Sequence, residues 1–197
     1  MTHSFLKKDA WTGGSVDALM FFGPATASDA IAVSNALWSF PRLAGPYRHR
    51  HIEPKQQSVV IHPKFSTDGC ELLFGIYQNH DDTCSNFVHS TIFDDDGLWV
   101  YAGLTVGSFP TGWNIGAYPT EDGLPAPWLK PLYEDLRLVT QHVNHLKDIR
   151  GAIYGWLTTV DCDTLLEAIA GTIPTQRWNA LDVWRDGKCQ HYAPTHL

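Results

Sequence analysis

Asn86 to Val106 reads NFVHSTIFDDDGLWVYAGLTV, and two apolar runs around Asp94-Asp95-Asp96-Gly97 decide the fold. An Asp-Gly turn between such runs predicts an antiparallel hairpin. In its second strand Leu98, Val100, Ala102, Leu104 and Val106 share one face while Trp99, Tyr101 and Thr105 share the other. Apolar bulk on both faces predicts a central strand.

Outward from this hairpin, Glu71 to Tyr77 (ELLFGIY) is a further strand candidate, and Ser58 to His62 another. Asp17 to Phe22 (DALMFF) is a compact apolar run closed by Gly23-Pro24, which suits a buried strand and a turn. Thr26 with Asp29 forms a capping-box pattern, and Ala30, Val33, Leu37 and Phe40 recur at helical spacing until Pro41. The stretch RLAGPYRHRHIEPKQQ reads as an irregular connection. Pro131 suits the first position of a long helix whose stripe is Leu132, Leu136, Val139, Val143 and Leu146. Ala152 to Thr158 follows as a strand, then a short helix capped by Asp161 or Asp163 and stopped by Gly171. A hairpin over Trp178 to Trp184 and Cys189 to Tyr192, turning at Asp186-Gly187, closes the chain. The fold class is α+β: a mostly antiparallel sheet with about three helices packed on it, expected on one face. The order strand, helix, strands recurs in shortened form after Gly151, as a degenerate βαββ duplication would.

The chain has 197 residues, 44% of them hydrophobic, which predicts one globular domain over residues 1–197, with 1–15 as a flexible N-terminus. A net charge of -7 with scattered Lys and Arg argues against nucleic acid, which needs a clustered basic face. That charge instead suits steering of a basic protein partner. Cys70, Cys84, Cys162 and Cys189 form no C-x-x-C pair and read as free thiols. No apolar run is long enough for a membrane span, and no signal-peptide core follows the N-terminal lysines. A cytoplasmic location is expected, without membrane association and with no cofactor.

Strong catalytic signatures are missing: the sequence has no G-x-S-x-G elbow, phosphate-cradling loop, dinucleotide fingerprint or H-E-x-x-H. His80 and Asp82 make an H-x-D pair of the kind that supplies part of a two-histidine, one-carboxylate iron site, but Asp81 and Thr83 beside them are ordinary turn formers. His89 alternates with Phe87, Thr91 and Phe93 and is expected to be a histidine hydrogen-bonded within the sheet. His49, His51 and Glu53 share one face of an extended segment, where Arg48 and Arg50 disfavour a cation. Glu53-Pro54-Lys55 matches half of a nuclease metal motif, with a proline in the way. On the long helix His142 falls at the edge of the apolar stripe and His145 opposite it. From Gly107 to Pro127 the chain is rich in Gly and Pro, with a short strand expected over Trp113 to Tyr118. Trp113, Tyr118, Glu121, Asp122 and Trp128 are the candidate partner-binding residues, because aromatic side chains on loops are free to anchor a partner.

A small, acidic, Trp-rich α+β chain of this kind, with segments such as FFGPATASDAIAVSNALWSF and GLWVYAGL, resembles the immunity proteins of bacterial polymorphic and type VI toxin systems. The resemblance implies a non-catalytic inhibitor that binds a cognate toxin, often a nuclease. Two alternatives stand beside it: a divalent-metal enzyme using His80 and Asp82, and a structural protein self-associating through an edge strand of the C-terminal hairpin.

Overall fold

Ser15–Gly23, strand β1, is buried along its whole length, because it is paired on both edges and covered on both faces. The computed structural model describes residues 4–12, 14–60, 65–66, 69–79, 81–109, 129–156, 158 and 161–195. After β1 come helix α1 (Ala27–Trp38) and strands β2 (Leu43–Tyr47), β3 (Phe65–Ser66), β4 (Gly69–Cys70), β5 (Leu73–Gln78), β6 (Cys84–Phe93) and β7 (Leu98–Thr105). Helix α2 (Leu129–Leu146), strand β8 (Gly151–Trp156), helix α3 (Cys162–Ala170), and strands β9 (Ala180–Arg185) and β10 (Lys188–Tyr192) complete the order. Eight strands form one sheet in the order β10-β9-β8-β1-β7-β6-β5-β2, every neighbouring pair antiparallel, and β3 pairs β4 separately.

Local chemistry sets the helix ends. Thr26 Oγ1 accepts from the Asp29 backbone N–H at 3.2 Å and Asp29 Oδ2 accepts from the Thr26 N–H at 2.8 Å, so the capping box of α1 is complete. Gly171 adopts the left-handed conformation that ends α3. The two hairpins form as expected: Asp94 Oδ1 accepts the N–H groups of Asp96 and Gly97, and Asp186 and Gly187 both take positive φ between β9 and β10.

Strand alternation divides the core in two. Val16, Ala18, Met20 and Phe22 of β1 join Val100, Ala102 and Leu104 of β7 against α1 and against Leu132, Leu136, Val139 and Val143 of α2. Leu19 and Phe21 point the other way and pack with Trp99, Ile153, Leu181 and Val183 under Leu165 and Ala168 of α3. Helices on one face only was the expectation; α3 overturns it, because the two-sided apolar character of β1 and β7 requires cover on both faces. Farther along the α3 face, Phe5 and Trp11 from two N-terminal 3-10 turns pack on Tyr47 and Phe74. The described part of the N-terminal stretch is therefore packed rather than loose: Phe5 has no exposed surface, and Trp11 Nε1 donates to its carbonyl at 2.9 Å.

Three further details differ from the sequence reading. Leu43–Tyr47, read as irregular, is the edge strand β2, where Pro46 is tolerated because an edge needs no second ladder of hydrogen bonds. Residues 58–60 form no strand; Val60 N donates to the Pro46 carbonyl at 2.9 Å, and 61–62 lie outside the described residues. Leu146, assigned to the apolar stripe of α2, is 62% exposed at the helix end. The likeness between the two βα segments stops at element order: α1 leads from β1 to the far edge of the sheet, whereas α3 lies on the opposite face and leads from β8 to its neighbour β9.

Candidate functional site

Asp182 is a carboxylate that draws three different residues, Arg137, Tyr154 and His191, to one point. It sits on β9 between Leu181 and Val183, and alternation turns it to the α2 face, where it has no exposed surface. A carboxylate so buried must be paired or hydrogen-bonded. Its Oδ2 accepts from Arg137 Nε at 3.1 Å and from the Tyr154 hydroxyl at 3.0 Å, and its Oδ1 accepts from His191 Nδ1 at 2.6 Å. The strand register explains the last contact, because His191 of β10 lies directly opposite Asp182. The hydrogen bond fixes the imidazole proton on Nδ1 and leaves Nε2 as the free ring nitrogen.

Two members of this cluster, Arg137 and His191, line a cleft of about 330 Å³ between α2 and the C-terminal hairpin. Lys130, Glu134 and Arg137 line it from α2, where spacings of four and three residues put them on one helix face. His191, Ala193 and Pro194 line it from the other side, and Tyr133 and Ala180 supply apolar wall. Residues just beyond β10 are held in place by Arg177, whose Nη2 donates to the Ala193 carbonyl at 2.9 Å. Cys189, two residues before His191, is the nearby nucleophile by residue type. Partial desolvation and the Asp182 carboxylate push its thiol up to about 11, so it carries no thiolate at neutral pH.

A second buried carboxylate, Asp17, lies on the opposite face of the sheet. Its Oδ1 accepts from Thr158 N at 2.9 Å and Thr158 Oγ1 at 2.5 Å, and its Oδ2 from Ser15 Oγ at 2.8 Å. Ser15 Oγ lies 2.6 Å from the Tyr101 hydroxyl. Desolvation raises the Asp17 carboxyl above the usual carboxylate range, against the lowering pull of these donors. The arrangement fastens the connection after β8 to the central strand.

The residues singled out by sequence fall as follows. Trp113, Tyr118, Glu121, Asp122 and Trp128 lie outside the described residues, as do the strand expected at Trp113 to Tyr118 and His80. Asp82 occupies a left-handed turn position and accepts from Gln78 Nε2 at 3.1 Å, while Asp81 caps Thr83. His89 is buried in the sheet as expected, hydrogen-bonded to the Tyr101 carbonyl and to Ser34. His49, His51 and Glu53 are exposed, and Glu53 precedes a single 3-10 turn. His142 Nε2 lies 2.8 Å from Ser39 Oγ, tying α2 to the end of α1, and His145 is exposed. Cys84, Cys162 and Cys189 are free thiols. Among the described residues no group of three or more His, Cys, Asp or Glu is placed to hold a metal, and no helix is long and apolar enough to cross a membrane.

The sequence reading missed Asp182, Arg137 and His191. The available signal was an aspartate inside an apolar strand, ALDVW, which an inward-facing carboxylate explains and a surface one does not. Asp17 in SVDALMFF carries the same signal. Comparison of the chain with protein-family models, curated proteins and solved structures returned no match.

Proposed function

We propose that this chain is a non-catalytic binding protein that captures a protein partner through the cleft between α2 and the C-terminal hairpin. The carrying observation is the cleft itself: apolar walls from Tyr133, Ala180, Ala193 and Pro194, and a small set of convergent polar groups held rigid by the buried Asp182. That combination is the general form of a recognition site. The protonated Cys189 thiol supports binding over covalent catalysis. Trp128 directly precedes α2 in the chain, so the candidate loop residues Trp113, Tyr118, Glu121, Asp122 and Trp128 run in sequence toward Lys130 at the cleft.

The partner we propose is a bacterial toxin, with the chain as its cytoplasmic immunity protein. The net charge of -7 favours encounter with a basic toxin such as a nuclease. The test is co-expression with the toxin domain encoded beside its gene. Restored growth and a complex stable to size exclusion are expected. Ala193→Trp, which fills the cleft, abolishes capture, and Trp113→Ala with Glu121→Lys weakens it. Unrelieved toxicity with no complex would sink the immunity reading, and full capture by Ala193→Trp would remove the cleft from the interface.

A further inference from the structure

Arg137 and His191 share one buried carboxylate and one cavity. Arg137 gives only its Nε to Asp182, and its two Nη nitrogens have no partner among the described residues. His191 gives its Nδ1, which leaves Nε2 as the ring atom for the cleft it lines. Asp182, without exposed surface, therefore acts as a fixed post that orients a guanidinium and an imidazole toward the same space. Lys130 brings a second cationic group to the rim, two turns of α2 before Arg137.

We propose that the cleft is a receptor for a carboxylate carried on an apolar body. The flat fork of guanidinium Nη donors matches the two oxygens of a carboxylate. His191, its ring held by Asp182, stands beside the fork as part of the same wall of the cleft. Glu134 on the same wall of the cleft repels a second negative charge, so the site favours a monoanion over a phosphate dianion. The walls of Tyr133, Ala180, Ala193 and Pro194 take up the apolar body. Such a carboxylate comes either from a protein partner or from a free organic acid.

The inference rests on the cleft being a recognition site, and its test uses small probes, so its failure is separate from failure of toxin capture. Full-length protein labelled with 15N is titrated with benzoate, benzamide and inorganic phosphate at constant ionic strength. The His191 imidazole and Arg137 guanidinium signals report occupancy. Saturable shifts with benzoate are expected, with benzamide and phosphate weaker by roughly tenfold or more. Arg137→Lys keeps the charge and loses the fork, and His191→Gln keeps a donor for Asp182; each weakens benzoate by roughly fivefold or more while the circular dichroism spectrum stays native. Equal affinity for benzamide, tighter binding of phosphate, or unchanged benzoate affinity in both variants overturns the proposal. A blocked dipeptide ending in a free phenylalanine carboxylate, compared with its amide, then decides the source. Tighter binding than benzoate, lost in the amide, sustains a protein carboxylate, and tighter benzoate sustains a free acid.

Discussion

His89 and Ser34 meet across the boundary between sheet and helix, with the imidazole Nε2 of β6 3.1 Å from the hydroxyl of α1. The other ring nitrogen, Nδ1, donates to the Tyr101 carbonyl at 3.0 Å, so the ring is a neutral imidazole with Nε2 as acceptor. Trp38 stands edge-on to it at 5.9 Å. Burial lowers its pKa from 6.5 to about 4.

Stability therefore depends on pH through His89. The unfolded chain takes up the proton below 6.5 and the folded chain resists it until about 4, so stability is full above 6.5 and lost as pH falls through this window. Between pH 6.5 and 5 the loss is about 2 kcal/mol, from roughly 1.4 kcal/mol per pH unit. Urea denaturation of the native chain and of His89→Gln across this range checks it. Parallel pH profiles for the two proteins count against the assignment.

Asp17 carries the opposite sign. Its folded pKa is raised, so the ionised form is penalised and stability falls as pH rises from 3.8 toward the raised value. At neutral pH Asp17→Asn is expected to leave stability unchanged or raise it, because an amide oxygen still accepts from Thr158 and the charge is gone. Asp17→Ala leaves the buried Thr158 N–H unanswered and costs about 1–3 kcal/mol. Thermal melts of both variants at pH 7 distinguish the two effects; an equal loss in both would show that the charge itself is needed.

Removing Asp182 strands several groups together. Asp182→Ala leaves Arg137, the Tyr154 hydroxyl and His191 without their shared acceptor and is expected to cost about 3–5 kcal/mol. Tyr154→Phe deletes a single hydrogen bond of that set and costs about 1 kcal/mol. Chemical denaturation measures both. A loss for Asp182→Ala no larger than for Tyr154→Phe would mean that the network contributes little beyond one bond.

Gly155 is a site of close approach. A Cβ there would lie 1.7 Å from Asn179 Oδ1, and Asn179 is the residue that accepts from Trp156 N and donates to Asp161 ahead of α3. Gly155→Ala is expected to displace Asn179 and destabilise by about 1–3 kcal/mol. Hydrogen exchange at Trp156 and at the first turn of α3 should rise with it, and unchanged exchange there would contradict this route.

Elements decided within a few residues are legible from sequence. The Thr26–Asp29 capping box, the turns at Asp94 to Gly97 and at Asp186-Gly187, and the core face of α2 are of this kind. β2 is hidden, because Gly45 and Pro46 speak against a strand and its pairing to β5 is made some thirty residues later in the chain. The two-sided apolar pattern of β7 was legible, and its consequence, cover on both faces, is what the one-faced helix expectation missed. The cleft illustrates the general difficulty. Arg137, Asp182 and His191 are far apart in sequence, and their meeting depends on which face β9 turns toward α2.

β1 has a consequence for how the chain is made. Both strands that flank it, Leu98–Thr105 and Gly151–Trp156, are synthesised well after it. The β5-β6-β7 meander closes through short turns as it emerges, and β1 must dock back onto it across the long intervening segment that carries α1 and β2. The C-terminal strands β8, β9 and β10 then add to the free side of β1, so a chain halted before Gly151 presents the apolar edge of its own central strand to the cell.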